Sequence, residues 1–172
     1  MEDKNAYRII YLGLAAALVV SLSGCAAQTA QKPEDREPAA TGPSLYERVG
    51  GINTIAMLAD DLVDRSYVDP VLNANPRIAE AHRRFPRSIY KYQATNLACM
   101  AWGGPCKYTG RSPKEAHQHL QITETEWQAM IKLLHDSMDE FKVPPKEQAE
   151  IIAGMEGVKG DVVVPSPRSA SK

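Results

Sequence analysis

The sequence predicts an all-α domain, and three observations support that prediction. Serine or threonine is followed by glutamate three residues later at 44–47, 112–115 and 123–126. Such pairs form capping boxes, in which the two residues satisfy free N–H groups at a helix start. Apolar residues recur at three- and four-residue spacing along several segments, as on the buried face of a helix. The alternating pattern of a strand does not extend beyond the short run 162–164.

The first part of the domain contains three helix starts. A short helix begins at the Ser44 capping box and ends before Gly50-Gly51, and a second helix begins after these glycines. The apolar stripe of this second helix consists of Ile52, Ile55, Ala59, Leu62 and Ser66. Asp69-Pro70 marks a third start, because aspartate is a good N-cap and proline is tolerated at the first helical position.

The second part of the domain continues the helical pattern. A long helix carries Tyr90, Ala94, Leu97 and Ala101 on one face and ends at the turn 103–105. Ser112-Pro113 begins a short helix over 112–117. The clearest amphipathic stripe follows the Thr123 capping box and consists of Trp127, Met130, Ile131, Leu134, Met138 and Phe141. A last helix begins near Val143-Pro144 and carries Ile151, Ile152, Met155 and Val158.

The two ends of the chain differ from the domain between them. Residues 1–24 have the order of a secretory signal peptide, with an apolar run at 9–20 that is too short to cross a membrane comfortably. Residues 25–43 are small, polar and proline-containing, and are predicted to be a flexible tether. The domain then occupies 44–162, and residues 163–172 are predicted to be a disordered tail.

The end of the signal sequence also predicts where the protein is found. Leu-Ser-Gly-Cys, ending at Cys25, resembles the lipobox of bacterial lipoproteins, whose cysteine carries the lipid. An ordinary signal anchor with an incidental cysteine is the alternative. Ala26 rather than aspartate after that cysteine is typical of the outer membrane. We therefore expect a lipoprotein that is anchored to the outer membrane and faces the periplasm, with the membrane as a partner through its lipid anchor.

Composition and motifs exclude several function classes. The chain of 172 residues carries 20 Lys+Arg against 21 Asp+Glu, and this balance gives no reason to expect a nucleic-acid partner. The sequence contains no glycine-rich phosphate loop, no GxSxG motif and no CxxCH motif for covalent haem attachment. Cys99 and Cys106 remain after Cys25 is assigned to lipid. In an exported protein this pair predicts a disulfide, with two free thiols as the alternative.

The four histidines are the candidate metal ligands. His82 lies in the segment AEAHRRFP beside two arginines, and this position predicts a solvated side chain. His135 lies beside the apolar stripe of the penultimate helix and is predicted to be on the surface or partly buried. His117 and His119 are two residues apart, and the residue types alone leave open whether either of them binds a metal.

The block 103–122, GGPCKYTGRSPKEAHQHLQI, carries the most specific pattern of the chain. Its Gly-Gly-Pro, Tyr-Thr-Gly and Ala-His groups and its final isoleucine closely resemble the group 1 truncated haemoglobins, the short globins of bacteria, protists and algae. SLYERVGG at 44–51 resembles the opening of that family, and 123–152 resembles its last two helices. The resemblance covers nearly all of 44–162 and implies a truncated globin fold, a two-over-two helical sandwich.

The resemblance also implies a cofactor and its ligand. In the family, the histidine that follows Ala or Val five residues before the isoleucine binds the haem iron, and this position is His117. His119 is then peripheral. The expected cofactor is haem b, iron protoporphyrin IX, held without a covalent bond. By position the pocket is expected to be lined by Leu58, Leu62, Val63, Tyr90, Ala94, Leu97, Ala98, Leu120, Ile122, Trp127 and Ile152, although for any one of these a plain core role is equally compatible with its spacing.

The distal side of the expected pocket departs from the family pattern. Leu62-Val63 stands where many members have Phe-Tyr, and Ala94 stands where they have a glutamine. Tyr90 lies one helical turn before Ala94 and therefore on the same face. We expect Tyr90 to supply the distal hydrogen-bond donor. His82 is a further candidate for the sixth position of the iron if its segment folds inward.

The function implied by the resemblance is reversible binding of oxygen or another diatomic gas, such as NO or CO, at the His117-ligated iron. Two alternatives remain open from sequence. One is a haem enzyme, a nitric oxide dioxygenase or a peroxidase-like protein, which would use an electron-donor protein as a partner. The other is a structural lipoprotein whose globin domain no longer holds haem. Retention of haem distinguishes the structural lipoprotein from the other two functions. Turnover with a reductant distinguishes the enzyme from the gas-binding protein.

Overall fold

The computed structural model describes residues 42–165. Within that range the chain forms eight α-helices, one short 3-10 helix and no strand, so the predicted all-α class is confirmed. The elements are α1 (Leu45–Arg48), α2 (Gly51–Val68), α3 (Pro70–Ala74), α4 (Pro76–Arg84), α5 (Arg87–Ala101), α6 (Pro113–His117), the 3-10 helix (Gln118–Leu120), α7 (Glu124–Glu140) and α8 (Pro145–Val162). No helix between residues 42 and 165 has both the length and the apolar character needed to cross a membrane.

The predicted capping boxes are present at the starts of α1, α6 and α7. Ser44 Oγ accepts a hydrogen bond from Glu47 N–H at 3.3 Å, while the Glu47 carboxylate accepts one from Ser44 N–H at 2.7 Å. At α7 the Glu126 carboxylate accepts a hydrogen bond from Thr123 N–H at 2.6 Å. These bonds explain why the sequence locates the three starts to within a residue.

The break between α1 and α2 requires glycine. Gly50 has a φ of 98°, in the left-handed region, and a Cβ atom there would lie 2.7 Å from Thr54 Oγ1. Any other residue would suffer both backbone strain and a clash with α2. The chain can therefore leave the first helical turn and begin a second helix at once.

The segment between α2 and α5 forms two short helices, each begun by an amide or carboxylate cap and a proline. Asp69 accepts a hydrogen bond from Leu72 N–H at 2.8 Å, with Pro70 as the first residue of α3. Asn75 Oδ1 accepts from Arg77 N–H at 2.9 Å, with Pro76 as the first residue of α4. The sequence predicts the start of α3 but does not distinguish α4 as a separate helix.

The four long helices form the body of the domain. Helix α2 packs against both α5 and α7, α7 packs against α8, and the short α6 also packs against α8. A first core cluster is built from Leu45, Val49, Ile55, Leu58, Cys99, Leu134, Met138, Val143 and Ile151. A second core cluster is built from Leu72, Ile78, Ile122, Trp127, Ile131 and Val162. The two clusters occupy opposite ends of the α7–α8 pair, and Ile152 and Met155 of α8 pack against both.

Polar contacts also connect α2 to α7. The Asp61 carboxylate accepts hydrogen bonds from Arg65 Nε at 2.5 Å and from Ser137 Oγ at 2.7 Å, and Ser137 is fully buried. Burial raises the pKa of Asp61, but these hydrogen bonds outweigh it and leave the pKa below the ordinary value of 3.8. The carboxylate is thus kept ionised where the two helices cross.

The predicted disulfide is present. Cys99, near the end of α5, is bonded to Cys106, and their Cα atoms are 5.7 Å apart. The bond closes the turn after α5, where Gly104 is packed so tightly that a Cβ would lie 2.5 Å from the Tyr46 ring and 2.7 Å from Cys99 Sγ. The loop that leads to α6 is therefore joined covalently to the end of α5.

The described domain extends slightly beyond its predicted C-terminal boundary. Val163 forms a bridge with Ile122, and Val164 N–H donates a hydrogen bond to Ile122 O at 2.8 Å. These two valines, which the prediction assigns to the tail, thus pair with the segment that follows the 3-10 helix. The predicted signal peptide at 1–24 and its lipidation residue Cys25 lie outside the described residues.

Candidate functional site

His117 is the last residue of α6, and its ring is turned back over its own helix. Its Nδ1 atom lies 2.7 Å from the carbonyl oxygen of Pro113, four residues earlier. A carbonyl oxygen only accepts hydrogen bonds, so Nδ1 carries the ring proton and Nε2 keeps its lone pair. Nε2 of His117 is therefore the atom that could bind a metal, and the Pro113 carbonyl fixes the ring for that purpose.

The surroundings of His117 keep the imidazole neutral. Burial lowers the pKa of His117 below the ordinary value of 6.5, the hydrogen bond to Pro113 opposes this, and the neighbouring His119 lowers the pKa further. A neutral imidazole is the form that ligates metals. The helix that carries it is short, but Ser112 and Glu115 form its capping box and Pro113 is its first residue.

His119 lies on the 3-10 helix and is exposed. It borders a surface groove of about 410 Å³ that is lined by α4 and by His119 but does not include His117. Arg77 Nη1 donates a hydrogen bond to His119 O at 3.0 Å. The groove is therefore on the α4 side of the chain, and the two neighbouring histidines have different surroundings.

The predicted pocket-wall residues divide into two groups by burial. Leu58, Val63, Ile122 and Trp127 are buried. The half-buried members are Leu62, Tyr90, Ala94, Leu97, Ala98, Leu120 and Ile152. Leu62 and Ala98 pack against the first core cluster, Leu120 packs against the second, and Ile152 packs against both. The wall residues thus extend from the first core cluster to the residues that follow His117.

Helix α5 presents a face that the protein covers only partly. Tyr90, Ala94, Leu97 and Ala98 share this face, and all four are half-buried, whereas Cys99 is the buried residue of the helix. An apolar helix face normally packs against another element. This face can instead be covered by an apolar ligand.

Tyr90 lies at the start of that face, in a cluster of aromatic rings. Its ring centroid is 5.9 Å from that of Tyr67 and 6.2 Å from that of Phe85, with edge-to-face geometry in both pairs. Burial raises the pKa of Tyr90 above 10.0, so its hydroxyl group stays protonated. Within residues 42–165 the hydroxyl groups of Tyr67 and Tyr108 donate to carbonyl oxygens, whereas that of Tyr90 has no such partner.

His82 belongs to the same cluster, contrary to the prediction that it is solvated. It is half-buried, its ring stacks on Tyr67 with centroids 4.1 Å apart, and its Nδ1 lies 3.0 Å from Asn73 Oδ1. The flanking arginines suggested exposure, but on α4 His82 follows the buried Ile78 by four residues and lies on the same face. That spacing is the signal in the sequence that could have identified it.

Comparison with known proteins defines the family. The family model of the bacterial-like globins matches residues 44–164, most of the chain.

The chain belongs to the bacterial-like globin family.

This globin is similar to a group 1 truncated hemoglobin of Chlamydomonas moewusii, with 25% identity over 125 residues, which cover 70% of this chain and 68% of the relative. Among solved structures it resembles the truncated hemoglobin of Tetrahymena pyriformis in its Fe(III) form, with a TM-score of 0.60, 21% identity and coverage of 72% of this chain and 100% of the other.

A further similar structure is the group II truncated hemoglobin of Bacillus anthracis. Its TM-score is 0.62 with 18% identity, and 76% of this chain and 98% of the other are covered. At these identities the structures show the fold alone, and they confirm the two-over-two helical fold that the motifs of 103–122 predict. In this globin α2, α5, α7 and α8 are the four principal helices of that fold.

Proposed function

We propose that this globin binds haem b without a covalent bond, through His117, and that it reversibly binds a diatomic gas (O2, NO or CO) at the iron that His117 would hold. The observation that carries the proposal is the hydrogen bond from His117 Nδ1 to Pro113 O at 2.7 Å. It leaves Nε2 with its lone pair and holds the ring in one orientation, as an iron ligand requires.

The remaining residues fit the proposed cofactor. When bound, haem would supply an iron atom that His117 would hold and to which a diatomic gas could bind. The half-buried face of Ala94, Leu97 and Ala98 offers apolar contact, and a haem lying on it would exclude water. Tyr90, on the same face, would donate a hydrogen bond to the gas, and the raised pKa of Tyr90 keeps that proton in place at neutral pH. Val63 and Ala94 add no polar group there.

We also propose that the globin is a lipoprotein, lipidated at Cys25 and held by a tether at the periplasmic face of the outer membrane. The Leu-Ser-Gly-Cys sequence at 22–25 supports this proposal. The Cys99–Cys106 disulfide supports it independently, because disulfides persist in oxidising compartments such as the periplasm. Labelling with a radioactive fatty acid, compared between wild type and Cys25→Ala, tests it.

An enzymatic function as a nitric oxide dioxygenase or a peroxidase-like protein is the second candidate, and it would require an electron-donor protein. The apolar Val63 and Ala94 on the proposed gas side favour simple binding, because distal polarity promotes activation of the ligand. Consumption of NO or peroxide under continuous reduction, beyond one equivalent per haem, would favour the enzyme instead.

The test uses the full-length chain purified in detergent, titrated with haem and followed by visible absorption. We expect wild type to bind one equivalent of haem, and His117→Ala to lose that spectrum. His119→Ala, a matched change at the exposed neighbour, should leave the spectrum intact. In His117→Gly, added imidazole should restore the wild-type spectrum, which distinguishes a lost ligand from a lost fold.

A folded wild type that binds no stoichiometric haem would contradict the proposal. A haem-free structural lipoprotein would then be the remaining alternative. Addition of CO to the reduced, haem-loaded protein then tests gas binding. A spectral change that reverses when CO is removed supports it.

A further inference from the structure

Helix α5 carries an apolar stripe on the outside of the domain. Ile89, Tyr92 and Met100 are 49%, 64% and 44% exposed. At about 3.6 residues per turn these three side chains lie along one line of the helix, the α5 stripe, with Asn96 between the last two. The stripe is roughly a third of a turn around the helix from the Tyr90 face, so a haem on that face would leave it uncovered. Exposed large apolar side chains in one row indicate a binding surface.

The segment that contains α5 is strongly cationic. Between Glu80 and Glu115 the chain has seven lysines and arginines and no acidic residue, although basic and acidic residues nearly balance over the whole sequence. Glu80 pairs with Arg83, and Asp64 of α2 pairs with both Arg87 and Lys91. The cations of this segment that form no salt bridge with the described part of the chain are Arg84, Lys107, Arg111 and Lys114.

Two of these cations flank the α5 stripe. Arg84 precedes the helix, and its guanidinium lies 5.6 Å from the centroid of the exposed Phe85 ring. Lys107 is held at the other end, because the neighbouring Cys106 is bonded to Cys99 of α5. Both cations are exposed. Apolar side chains with a cation at each end are the composition of surfaces that bind anionic phospholipid.

The described chain begins beside the Met100 end of the stripe. Gly42 lines the same surface depression as Ala101 and Trp102. Tyr46 N–H donates a hydrogen bond to Trp102 O at 2.8 Å, which fixes α1 against the end of α5. The chain therefore enters the domain next to the stripe.

The distance along the chain from Cys25 to Gly42 limits how far the domain can lie from a lipid on that cysteine. Residues 26–41 separate the two, and even a fully extended chain of this length spans at most about 60 Å. A short tether gives the domain an effective concentration of order millimolar at the membrane. Even a weak contact between the domain and the lipid surface is then populated.

We propose that the α5 stripe docks on the membrane that holds the lipid anchor, with anionic phospholipid as its partner. This inference rests on the proposed lipoprotein function. Ile89, Tyr92 and Met100 would enter the boundary between headgroups and acyl chains, while Arg84 and Lys107 would contact the anionic headgroups. The domain would lie on the bilayer without crossing it.

The test uses the lipidated, haem-loaded protein in vesicles of phosphatidylethanolamine and phosphatidylglycerol. The vesicles also contain a phospholipid with a photoactivatable diazirine in its acyl chain, and peptide mass spectrometry locates the lipid adducts after illumination. We expect adducts in the tryptic peptides of 88–107, which carry the stripe, and few in the peptide 133–142 of α7.

A stripe variant tests the apolar contact. It combines Ile89→Ser, Tyr92→Ser and Met100→Ser, and its adduct yield in 88–107 should fall at least about tenfold. The matched control changes three exposed apolar residues outside α5, by Met57→Ser, Val68→Ser and Val71→Ser. The control should keep the wild-type yield, and circular dichroism should show the same helix content in both variants.

A charge variant, Arg84→Gln with Lys107→Gln, tests the choice of lipid and leaves the stripe unchanged. Each removed cation should lower the ratio of docked to undocked protein roughly fivefold. Vesicles in which phosphatidylcholine replaces phosphatidylglycerol should lower the adduct yield of wild type in the same direction.

An adduct yield in 88–107 no higher than that in 133–142 would overturn the inference, and a second copy of the domain covering the stripe would give that result. Equal yields for wild type and the stripe variant would overturn it as well. Mass spectrometry of the N-terminal peptide shows separately whether Cys25 carries lipid. An unlipidated Cys25 would mean that the proposed anchoring has failed, and so the two failures are distinguishable.

Discussion

At the scale of single residues, one backbone oxygen and one side-chain oxygen determine the chemistry of two imidazoles. Pro113 O holds the proton of His117 on Nδ1, and Asn73 Oδ1 does the same for His82. Burial lowers the pKa of both rings, and for His82 the positive charge of Arg87 lowers it further. Each ring is therefore neutral at physiological pH, with Nε2 as its basic atom.

Tyr90 provides the residue-scale prediction. In Tyr90→Phe the ring and its edge contacts with Tyr67 and Phe85 remain, but the hydroxyl donor is lost. A neutral hydrogen bond contributes about 1 kcal/mol, so oxygen should dissociate roughly fivefold faster. Stopped-flow measurement of oxygen release checks this.

The control for that experiment is Tyr92→Phe, which removes a hydroxyl from a residue of α5 that is 64% exposed. Its dissociation rate should match that of wild type. Equal rates for wild type and Tyr90→Phe would mean that Tyr90 is not the donor to bound oxygen.

At the scale of elements, α4 is connected to the segment that follows His117. It carries His82, and Asn75 anchors its start in two ways. The Asn75 side-chain oxygen caps the helix by accepting from Arg77 N–H, while its amide nitrogen donates to Leu120 O. One buried residue thus joins α4 to the segment that follows His117.

We expect Asn75→Ala to lower the free energy of unfolding by about 2 kcal/mol. Loss of an N-cap costs about 1 kcal/mol, and loss of the bond to Leu120 O costs about as much again. Urea denaturation of the haem-free protein, followed by circular dichroism, measures the change. Asn53→Ala, at an exposed position within α2, should not destabilise the protein, because alanine favours the helix. A loss below about 0.5 kcal/mol at Asn75 would contradict the double role.

The sequence predicts the helices whose N-terminal caps are formed by residues close together in the chain. Ser44, Asp69, Ser112 and Thr123 each form their cap with a residue three positions later, and such bonds can be read from spacing alone. The sequence does not predict α4 as a separate helix, because the helix has few apolar residues and Ile78 is its buried one. Its packing depends on Leu120 and Tyr67, which are distant in sequence.

The same distinction applies to the site. A motif within 103–122 predicts His117 as the iron ligand, and the structure adds the acceptor for its Nδ1, the Pro113 carbonyl oxygen. His82 was predicted to be solvated, because neighbouring arginines in sequence are a local signal of exposure. The contacts that turn it inward come from Asn73 and from Tyr67 of α2. Tertiary contacts of this kind leave no local pattern.

At the scale of the whole molecule, the half-buried His82 and His117 make stability depend on pH. Their pKa values in the folded state lie below the ordinary value of 6.5, so the unfolded chain binds more protons than the folded chain as pH falls below that value. Stability should therefore be full above pH 6.5 and should decrease as the pH falls from 6.5 towards 5. The ionised Asp61 carboxylate also contributes to stability. Because its pKa lies below 3.8, that contribution is lost only in more acidic solution.

Urea denaturation of the haem-free protein at several pH values between 5 and 8 checks this prediction. His82→Phe should show a smaller loss of unfolding free energy across this range than wild type, because one of the two half-buried titrating rings is gone. Identical slopes in wild type and His82→Phe would show that burial does not hold His82 neutral.

The contact of Ile152 and Met155 with both core clusters has a consequence for how the molecule melts. One cluster lies beneath α1, α2 and α5, and the other lies beside the segment that follows His117. Since α8 supports both, neither half can loosen while the other stays intact. Regions that share packing in this way normally unfold as one cooperative unit. Heating should therefore disorder the His117 side and the α2–α5 side in one transition at one temperature.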